Sequence, residues 1–306
     1  MSGMSKRFKI AIARRVVQVG ALLVFAVPVI VAGWGVFGGI AGNAAAGGDG
    51  MVVTPAALPF FGTLSSSSVC GVAVLDPFAM LEVIAASKTF SPSWLLAALP
   101  VLIVYGLIRG RAFCGWVCPV NLLCEGLDWL RARLHISVRE RVVPRHAKRY
   151  IALGVLVLSA LLGFPLFEVL SPIGFVAKGI VLGSMAGGLT LLAILLIELF
   201  WGHRVWCRSL CPLGGFYEVL GTVALANVKI DHGACIGCNR CKQACLCDPE
   251  ILDDAVSGVD AVVRAGDCMV CGKCVDACPT GALSMGLGRG KLKVASESAK
   301  GQGDEA

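Results

Sequence analysis

Charged residues are scarce in this sequence. Only 15% of its 306 residues are Asp, Glu, Lys or Arg, whereas a soluble domain averages about 25%. Hydrophobic residues make up 57%, and the mean hydropathy is +0.80. This composition argues against an ordinary soluble enzyme and predicts a membrane protein.

Apolar segments that cross a bilayer need roughly 20 residues. Four segments of the sequence approach this length: Val16 to Ile40, Trp94 to Ile108, Tyr150 to Phe167, and Gly179 to Trp201. The first is too long for the apolar core of a signal peptide, so we expect it to be retained. The sequence therefore predicts an α-helical integral membrane protein with four transmembrane helices.

The basic residues are unevenly placed along the chain. They gather before the first apolar segment and between residues 109 and 149, whereas segments 41–93 and 168–178 hold one lysine each. Lys and Arg mark the cytoplasmic side of a membrane protein. We therefore expect both termini in the cytoplasm, and we interpret the net charge of +7 as topology and lipid contact rather than nucleic-acid binding.

Fifteen cysteines on the cytoplasmic side do not indicate a disulfide framework, because cytosolic thiols stay reduced. Eight of them form two C-x2-C-x2-C-x3-C motifs, the bacterial spacing for [4Fe–4S] clusters. Since the fourth cysteine of each motif ligates the other cluster, the predicted ligands of cluster 1 are Cys235, Cys238, Cys241 and Cys278. Those of cluster 2 are Cys268, Cys271, Cys274 and Cys245.

Two alternatives concern these motifs. Zinc can be held by C-x2-C pairs, but it does not explain three cysteines at this spacing followed by a fourth, twice over. The first motif also continues as "CLCDPE", without a proline directly after Cys245. Cys247 is therefore an alternative fourth ligand of cluster 2, although the spacing favours Cys245.

Two Cys-x-x-x-Cys-Pro motifs lie 93 residues apart, with Cys114 and Cys118 in one and Cys207 and Cys211 in the other. Each follows an apolar segment, and the flanking residues also match, which predicts a two-unit internal repeat. If the units pack around a pseudo-twofold axis, the four sulfurs converge on a redox metal, a cluster or two dithiol pairs. The alternative is that they are small buried apolar residues, as we expect for the single Cys70 and Cys124.

Several ionisable residues accompany these motifs. Arg111 and Arg204 precede the two pairs by three residues, where they would either lower a thiol pKa or contact lipid phosphate. Three acids, Glu82, Glu168 and Glu198, lie in or near apolar segments, where ionisable groups are often functional. They are candidate proton acceptors.

The predicted organisation has four parts. They are a basic cytoplasmic N-terminus at 1–15, the four-span domain at 16–225, a small α+β ferredoxin-type domain at 230–286, and a polar tail at 287–306 with a composition typical of disorder.

Taken together, "LDPF" (75–78), "GRAFCGWVCPVN" (110–121), "WCRSLCPLGGFYEVLG" (206–221) and the paired cluster motifs resemble the NapH family of membrane quinol dehydrogenase components. The resemblance implies electron transfer from quinol toward a periplasmic nitrate reductase. It implies as partners a NapG-type iron–sulfur subunit and c-type cytochromes. It also implies a multi-pass location in the bacterial inner membrane.

Two other functions compete with this interpretation. A redox-sensing regulator would carry a large sensor domain, and the sequence has none. An assembly or maturation factor for a metalloenzyme, similar to the four-span ferredoxin-type proteins of copper-oxidase assembly, is not separated from electron transfer by the sequence.

Overall fold

The computed structural model describes residues 3–31, 60–62, 65–69, 72–135, 144, 146–174 and 186–288. Cys70, most of the predicted tail and parts of the first and fourth predicted spans lie outside these residues. The larger α-helices of the N-terminal part are α1 (Gly3–Val31), α2 (Pro77–Ser87), α3 (Pro92–Leu107), α5 (Pro119–Leu134), α6 (Ala147–Leu162), α8 (Ala186–Phe200) and α9 (Pro212–Leu220). Shorter ones are α4 (Ala112–Trp116) and α7 (Leu166–Leu170).

Within the described residues, no helix has both the length and the apolar character that crossing a membrane requires. The prediction of four transmembrane helices is therefore wrong. The second and third predicted spans form helices of only 16 residues, and the described part of the fourth forms 15. In the first, α1 begins among the basic residues, which leaves only its C-terminal part apolar.

Local signals explain where these helices begin and end. Proline occupies the first helical position of α2, α3, α5 and α9, where its missing N–H costs nothing. Helix α6 ends at Gly163, whose φ of 74° lies in the left-handed region that glycine adopts readily. The proline of each Cys-x-x-x-Cys-Pro motif therefore starts a new helix and leaves the second cysteine at its N-terminal cap.

A small antiparallel sheet precedes α2. Strands β1 (Phe60–Gly62), β2 (Ser66–Val69) and β3 (Val72–Leu75) pair in sequence order, with Ser66 opposite Leu75. Asp76 follows β3 directly and accepts hydrogen bonds from the first backbone N–H groups of α2. The sheet was not predicted, because segment 41–93 was interpreted as a plain loop.

The C-terminal part is built around a two-stranded antiparallel sheet. Strand β4 (Ala226–Ile230) pairs with β5 (Leu283–Leu287), so that Ile230 lies opposite Leu283. Between the strands lie the cysteine loops and short helices: α10 (Arg240–Gln243), a 3-10 turn (Pro249–Leu252), α11 (Asp253–Val256) and α12 (Lys273–Ala277). This arrangement of a short hairpin with helices carrying cysteines has the α+β character that the sequence predicts.

The C-terminal part packs directly against the Cys-x-x-x-Cys segments. Trp116 donates from Nε1 to the Val270 carbonyl at 2.9 Å, and Arg109 donates to the Val263 carbonyl at 3.2 Å. The backbones also approach closely, since a Cβ added to Gly266 would lie 2.2 Å from the Glu218 carbonyl oxygen. The two predicted domains therefore share one continuous interface and one buried core.

Candidate functional site

The first cavity of the C-terminal part is lined by four cysteines from both motifs. Cys235, Cys238, Cys241 and Cys278 surround about 330 Å³ of space free of protein atoms, part of it open to solvent. These are the four predicted ligands of cluster 1. Cys238 is exposed and Cys241 is buried, so one side of this site faces solvent.

The second cavity is lined by Cys245, Cys247, Cys268, Cys271 and Cys274. It lies deeper in the protein, with Cys247, Cys268 and Cys274 all buried. The structure therefore separates the predicted ligands into the two predicted groups and adds Cys247 to the second.

The two cysteine loops share one backbone conformation. Gly237 and Asn239 in the first loop have positive φ, and Val270 and Gly272 occupy the same positions in the second. A positive φ is strained for a β-branched residue such as Val270, where φ is 46°. Strain of this kind gathers at functional sites. The two loops therefore bend in the same way, turning their thiols toward a common centre.

Cys245 and Cys247 face different surroundings. Burial raises the pKa of Cys245 well above the usual value of a thiol, and Cys245 interacts with Cys247, Cys271 and Cys268. The Sγ of Cys247 accepts a hydrogen bond from Arg111 Nη1 at 2.7 Å, and burial raises its pKa to about 12. This placement favours Cys245 as the ligand and makes Cys247 a thiol beside the cluster.

The sulfur spacing also bears on the identity of the bound group. Tetrahedral zinc with bonds of about 2.3 Å requires sulfurs about 3.8 Å apart. In the described part of the chain, no three cysteine sulfurs lie within 4.8 Å of one another. Thiolates at a wider spacing suit a cluster of several irons, which brings inorganic sulfide and single-electron redox chemistry.

The four cysteines of the two Cys-x-x-x-Cys-Pro motifs, which we call the thiol quartet, form one buried group. Cys118 interacts electrostatically with Cys114, Cys207 and Cys211, and burial together with these neighbours raises its pKa well above normal. Burial likewise raises the pKa of Cys211 to about 12. Without a metal, Cys118 and Cys211 therefore stay protonated, so a metal that binds them must displace protons.

Cys124 is the residue that sequence reasoning missed. It is buried and shares a thiol–thiol hydrogen bond with Cys207, and this bond is the main reason that the pKa of Cys207 lies below its ordinary value. The interpretation of Cys124 as isolated was based on spacing alone. The contact bridges 83 residues of sequence, and only the fold creates it.

Arg111 and Arg204 are fully buried, so contact with lipid phosphate is the wrong alternative. Arg111 binds Asp267 at 2.9 Å and donates to the Cys207 carbonyl at 2.6 Å. Burial disfavours its charge, but Cys247, Cys114, Asp267 and Cys207 together hold the pKa of Arg111 well above its usual range. Arg204 binds Asp128 at 2.7 Å. Arg111 thus lies between the quartet and the second cavity.

The repeat extends to a pair of buried carboxylates. Glu125 binds Arg14 and Arg15 of α1, both at 2.6 Å. Its counterpart Glu218 binds Lys148 and Arg149 of α6. Arg14 belongs to the basic N-terminus, where lipid contact was expected, but it is buried against Glu125 instead. In each repeat unit, an acid after the Cys-x-x-x-Cys-Pro motif binds basic residues of another helix, in the middle of α1 in one unit and in the first turn of α6 in the other.

Lys148 extends this network toward the second cavity. Its ammonium lies between Glu218, at 3.4 Å, and Asp267, which also binds Arg111. His146, Glu218 and Asp267 bring three ligand-type atoms together, but the Lys148 ammonium binds both carboxylates, and Arg149 and Arg111 supply further positive charge to them. We therefore interpret the group as an ion-pair network and not as a metal site.

The three acids proposed as proton acceptors have structural partners. Glu82 accepts from Ser159 at 3.0 Å and from the backbone N–H of Phe167, and Glu198 accepts from the N–H of Trp206 at 2.8 Å. Glu168 accepts from Ser65 at 2.7 Å. Each carboxylate satisfies backbone or hydroxyl donors near a helix end. Burial raises the pKa of Glu82 and Glu198, and the role of these acids as proton acceptors stays a prediction.

Two protein-family models match parts of the chain. A family model described as "4Fe-4S binding domain" matches residues 90–137 and 184–230, each with one Cys-x-x-x-Cys-Pro motif. Another with the same description matches residues 261–284. No solved structure matches the chain.

Several curated proteins are similar over most of the chain. The methylamine utilization ferredoxin-type protein MauN of Methylorubrum extorquens is 32% identical over 73% of this chain and 78% of its own length. MauN of Paracoccus denitrificans is 33% identical over 68% and 74%. The ferredoxin-type protein NapH of Escherichia coli is 33% identical over 68% and 72%.

Proposed function

Because the chain belongs to the family of NapH and MauN ferredoxin-type proteins, we propose that it oxidises quinol and passes the electrons through its iron–sulfur centres to a partner reductase. The family and the 4Fe–4S domains make it an iron–sulfur electron-transfer protein. The single observation that carries the proposal is the separation of the eight motif cysteines around two cavities, one open to solvent and one buried beside the quartet.

The residues fit two [4Fe–4S] clusters with the predicted ligands. Cluster 1 would lie on the solvent side, where a partner protein can approach, and cluster 2 would lie against Arg111. A cluster accepts or donates one electron at a time. Quinol gives up two electrons and two protons, so two one-electron centres match one quinol molecule.

The quartet supports a hypothesis about a further centre. Four buried thiols, with Arg111 and Arg204 nearby to offset thiolate charge, are a donor set suited to another redox group. If they hold iron, the purified protein contains more iron than two clusters account for. Changing Cys114 and Cys207 together to serine should remove that excess, and iron and spectra unchanged by the double substitution would refute the hypothesis.

The site of action that we propose is the bacterial inner membrane. Large apolar side chains are exposed along the helices, including Leu96 on α3, Leu161 on α6 and Leu189 on α8, each more than 70% exposed. Such surface is expected at a lipid or protein contact. The cytoplasmic location of both termini stays a prediction.

The electron acceptor is a further part of the proposal. NapH relatives favour a periplasmic nitrate reductase with a NapG-type iron–sulfur subunit and c-type cytochromes, whereas MauN relatives are named for methylamine utilization at equal identity. Growth of a deletion strain on nitrate or on methylamine separates the two.

Anaerobic addition of quinol to the purified protein tests the function. If quinol bleaches the iron–sulfur absorption, the proposed function is supported. If dithionite bleaches the absorption but quinol does not, the proposed function is contradicted. The competing role in metalloenzyme assembly predicts the second result, together with loss of the metal from a target enzyme in the deletion strain.

A further inference from the structure

A large apolar cavity lies between α3, α6 and α9. Its volume is about 820 Å³, within the range of roughly 300–1,000 Å³ typical of small-molecule sites. The walls are mainly hydrocarbon side chains, such as Leu102, Leu153 and Val219, and the polar lining side chains are Arg149 and Thr222. The cavity therefore suits an elongated apolar molecule with one polar end.

An unbroken row of aromatic rings connects this cavity with the thiol quartet. Phe78 and Phe216 line the cavity, with ring centroids 5.8 Å apart. Phe216 contacts Tyr217 at 5.5 Å, and Tyr217 contacts Phe113 at 5.9 Å. Phe113 is bonded directly to Cys114. The row of rings therefore runs from the cavity wall to the residue that precedes Cys114.

A polar exit lies on another side of the cavity. Arg149 binds Glu218, and Glu218 lies 3.0 Å from Nδ1 of His146. The side chain of His146 is 48% exposed to solvent. A hydroxyl group held near Arg149, whose side chain is 40% exposed, would thus lie beside a buried carboxylate and a partly exposed imidazole.

We propose that this cavity binds the quinol, with its aromatic head toward Phe216 and Arg149 and its isoprenoid tail along the apolar walls. This rests on the proposed function and identifies its substrate site. Oxidation breaks the two O–H bonds and yields the quinone. The two protons would leave through Glu218 and His146, and the two electrons would pass one at a time along Phe216, Tyr217 and Phe113 toward the thiol quartet and the cysteines that would hold the two clusters.

Binding of a fluorescent quinol analogue, 2-heptyl-4-hydroxyquinoline N-oxide, to the full-length protein in detergent tests the site. Leu153→Trp places a larger ring in the lining of this cavity, which is open to the surface, whereas Leu161→Trp adds the same ring on the same helix at a similarly exposed position outside the lining. We expect Leu153→Trp to weaken binding by about tenfold or more, equivalent to about 1.4 kcal/mol, and Leu161→Trp to leave it unchanged. Ile103→Trp, on the opposite wall, replaces Leu153→Trp if that variant fails to fold.

The outcomes distinguish the cavity from the function. Suppose that quinol reduces the wild-type clusters and that Leu153→Trp binds the analogue and reacts as well as Leu161→Trp. The cavity is then not the quinol site, although the proposed function stands. If quinol never reduces the wild-type clusters, the proposed function fails. A phospholipid that co-purifies in the cavity, and that the analogue cannot displace, would also overturn the assignment.

Discussion

Arg111 donates a hydrogen bond from Nη1 to the Sγ of Cys247 at 2.7 Å. The contact links a Cys-x-x-x-Cys motif to the second iron–sulfur cavity across 136 residues of sequence. Both side chains are buried, so the guanidinium charge is poorly screened by water. Hydrogen bonds and charge near cluster sulfurs set the reduction potential.

Removing the Arg111 charge should lower the potential of cluster 2. Reduction adds one negative charge, and a buried cation stabilises the reduced form. For Arg111→Met we expect a shift of about 60 mV to more negative values, the equivalent of a tenfold change for a one-electron centre. Arg111→Lys should shift it less, because the charge remains.

Redox titration monitored by electron paramagnetic resonance measures this shift. Arg264→Gln is the matched control, since it removes one positive charge from an exposed side chain of the same domain. If the reduction potential of cluster 2 in Arg111→Met equals or exceeds the wild-type value, the guanidinium does not stabilise the reduced cluster.

Substituting Cys245 and Cys247 separately should identify the fourth ligand. Cys245→Ser is expected to abolish the signal of cluster 2 and to remove about four irons per chain. Cys247→Ser should retain both clusters, because this thiol is engaged by Arg111. Iron analysis and spectra of the two variants decide the assignment, and the reverse pattern would make Cys247 the ligand.

Gly266→Ala should weaken the contact between the ferredoxin-type part and α9. The new Cβ would lie 2.2 Å from the Glu218 carbonyl oxygen, so one backbone must move. Overpacking of this kind costs about 1–3 kcal/mol, and we expect a lower melting temperature. Gly154→Ala is the control, because a Cβ there meets nothing within 4 Å. Equal melting temperatures for the two variants would argue against a tight interface.

Asp76 predicts a pH dependence of stability. Burial raises its pKa from 3.8 to about 6, although Tyr217 donates a hydrogen bond to it at 2.6 Å. The folded state therefore holds a proton that the unfolded state has lost between pH 4 and 6. The stability contributed by this group is present below about pH 4 and is lost as the pH rises through about 6.

Thermal unfolding at several pH values, compared between wild type and Asp76→Asn, isolates this contribution. Relative to Asp76→Asn, the wild type should have its higher melting temperature at about pH 4. This advantage should shrink as the pH rises through about 6. A difference that is independent of pH would mean that the carboxyl group titrates normally.

The sequence predicted the features that depend on spacing. The two C-x2-C-x2-C-x3-C motifs indicated which cysteines share a cavity, and matched flanks around Cys114 and Cys207 indicated that the quartet gathers. The membership in the NapH-type family is confirmed by relatives over most of the chain. In each case the spacing of residues within a short motif was enough for the prediction.

The features that depend on long-range packing were not predictable. The contacts of Arg111 with Cys247 and of Cys124 with Cys207 join distant segments, and no local pattern records them. The four transmembrane helices were wrongly predicted because hydropathy alone does not report helix ends, such as the break at Gly163. The sequence left lipid contact open as one of two roles for Arg111 and Arg204, because their buried ion-pair partners are not visible in one sequence.

The central claim is that electrons from quinol reach the iron–sulfur centres through the cavity beside Phe216. Electron paramagnetic resonance of anaerobic protein, frozen after quinol is added, tests it most directly. At a quinol concentration below the dissociation constant, we predict the signal of reduced [4Fe–4S] clusters in the wild type and in Leu161→Trp, and a signal about tenfold weaker in Leu153→Trp. If quinol leaves the wild-type clusters oxidised while dithionite reduces them, the claim that quinol is the electron donor is contradicted.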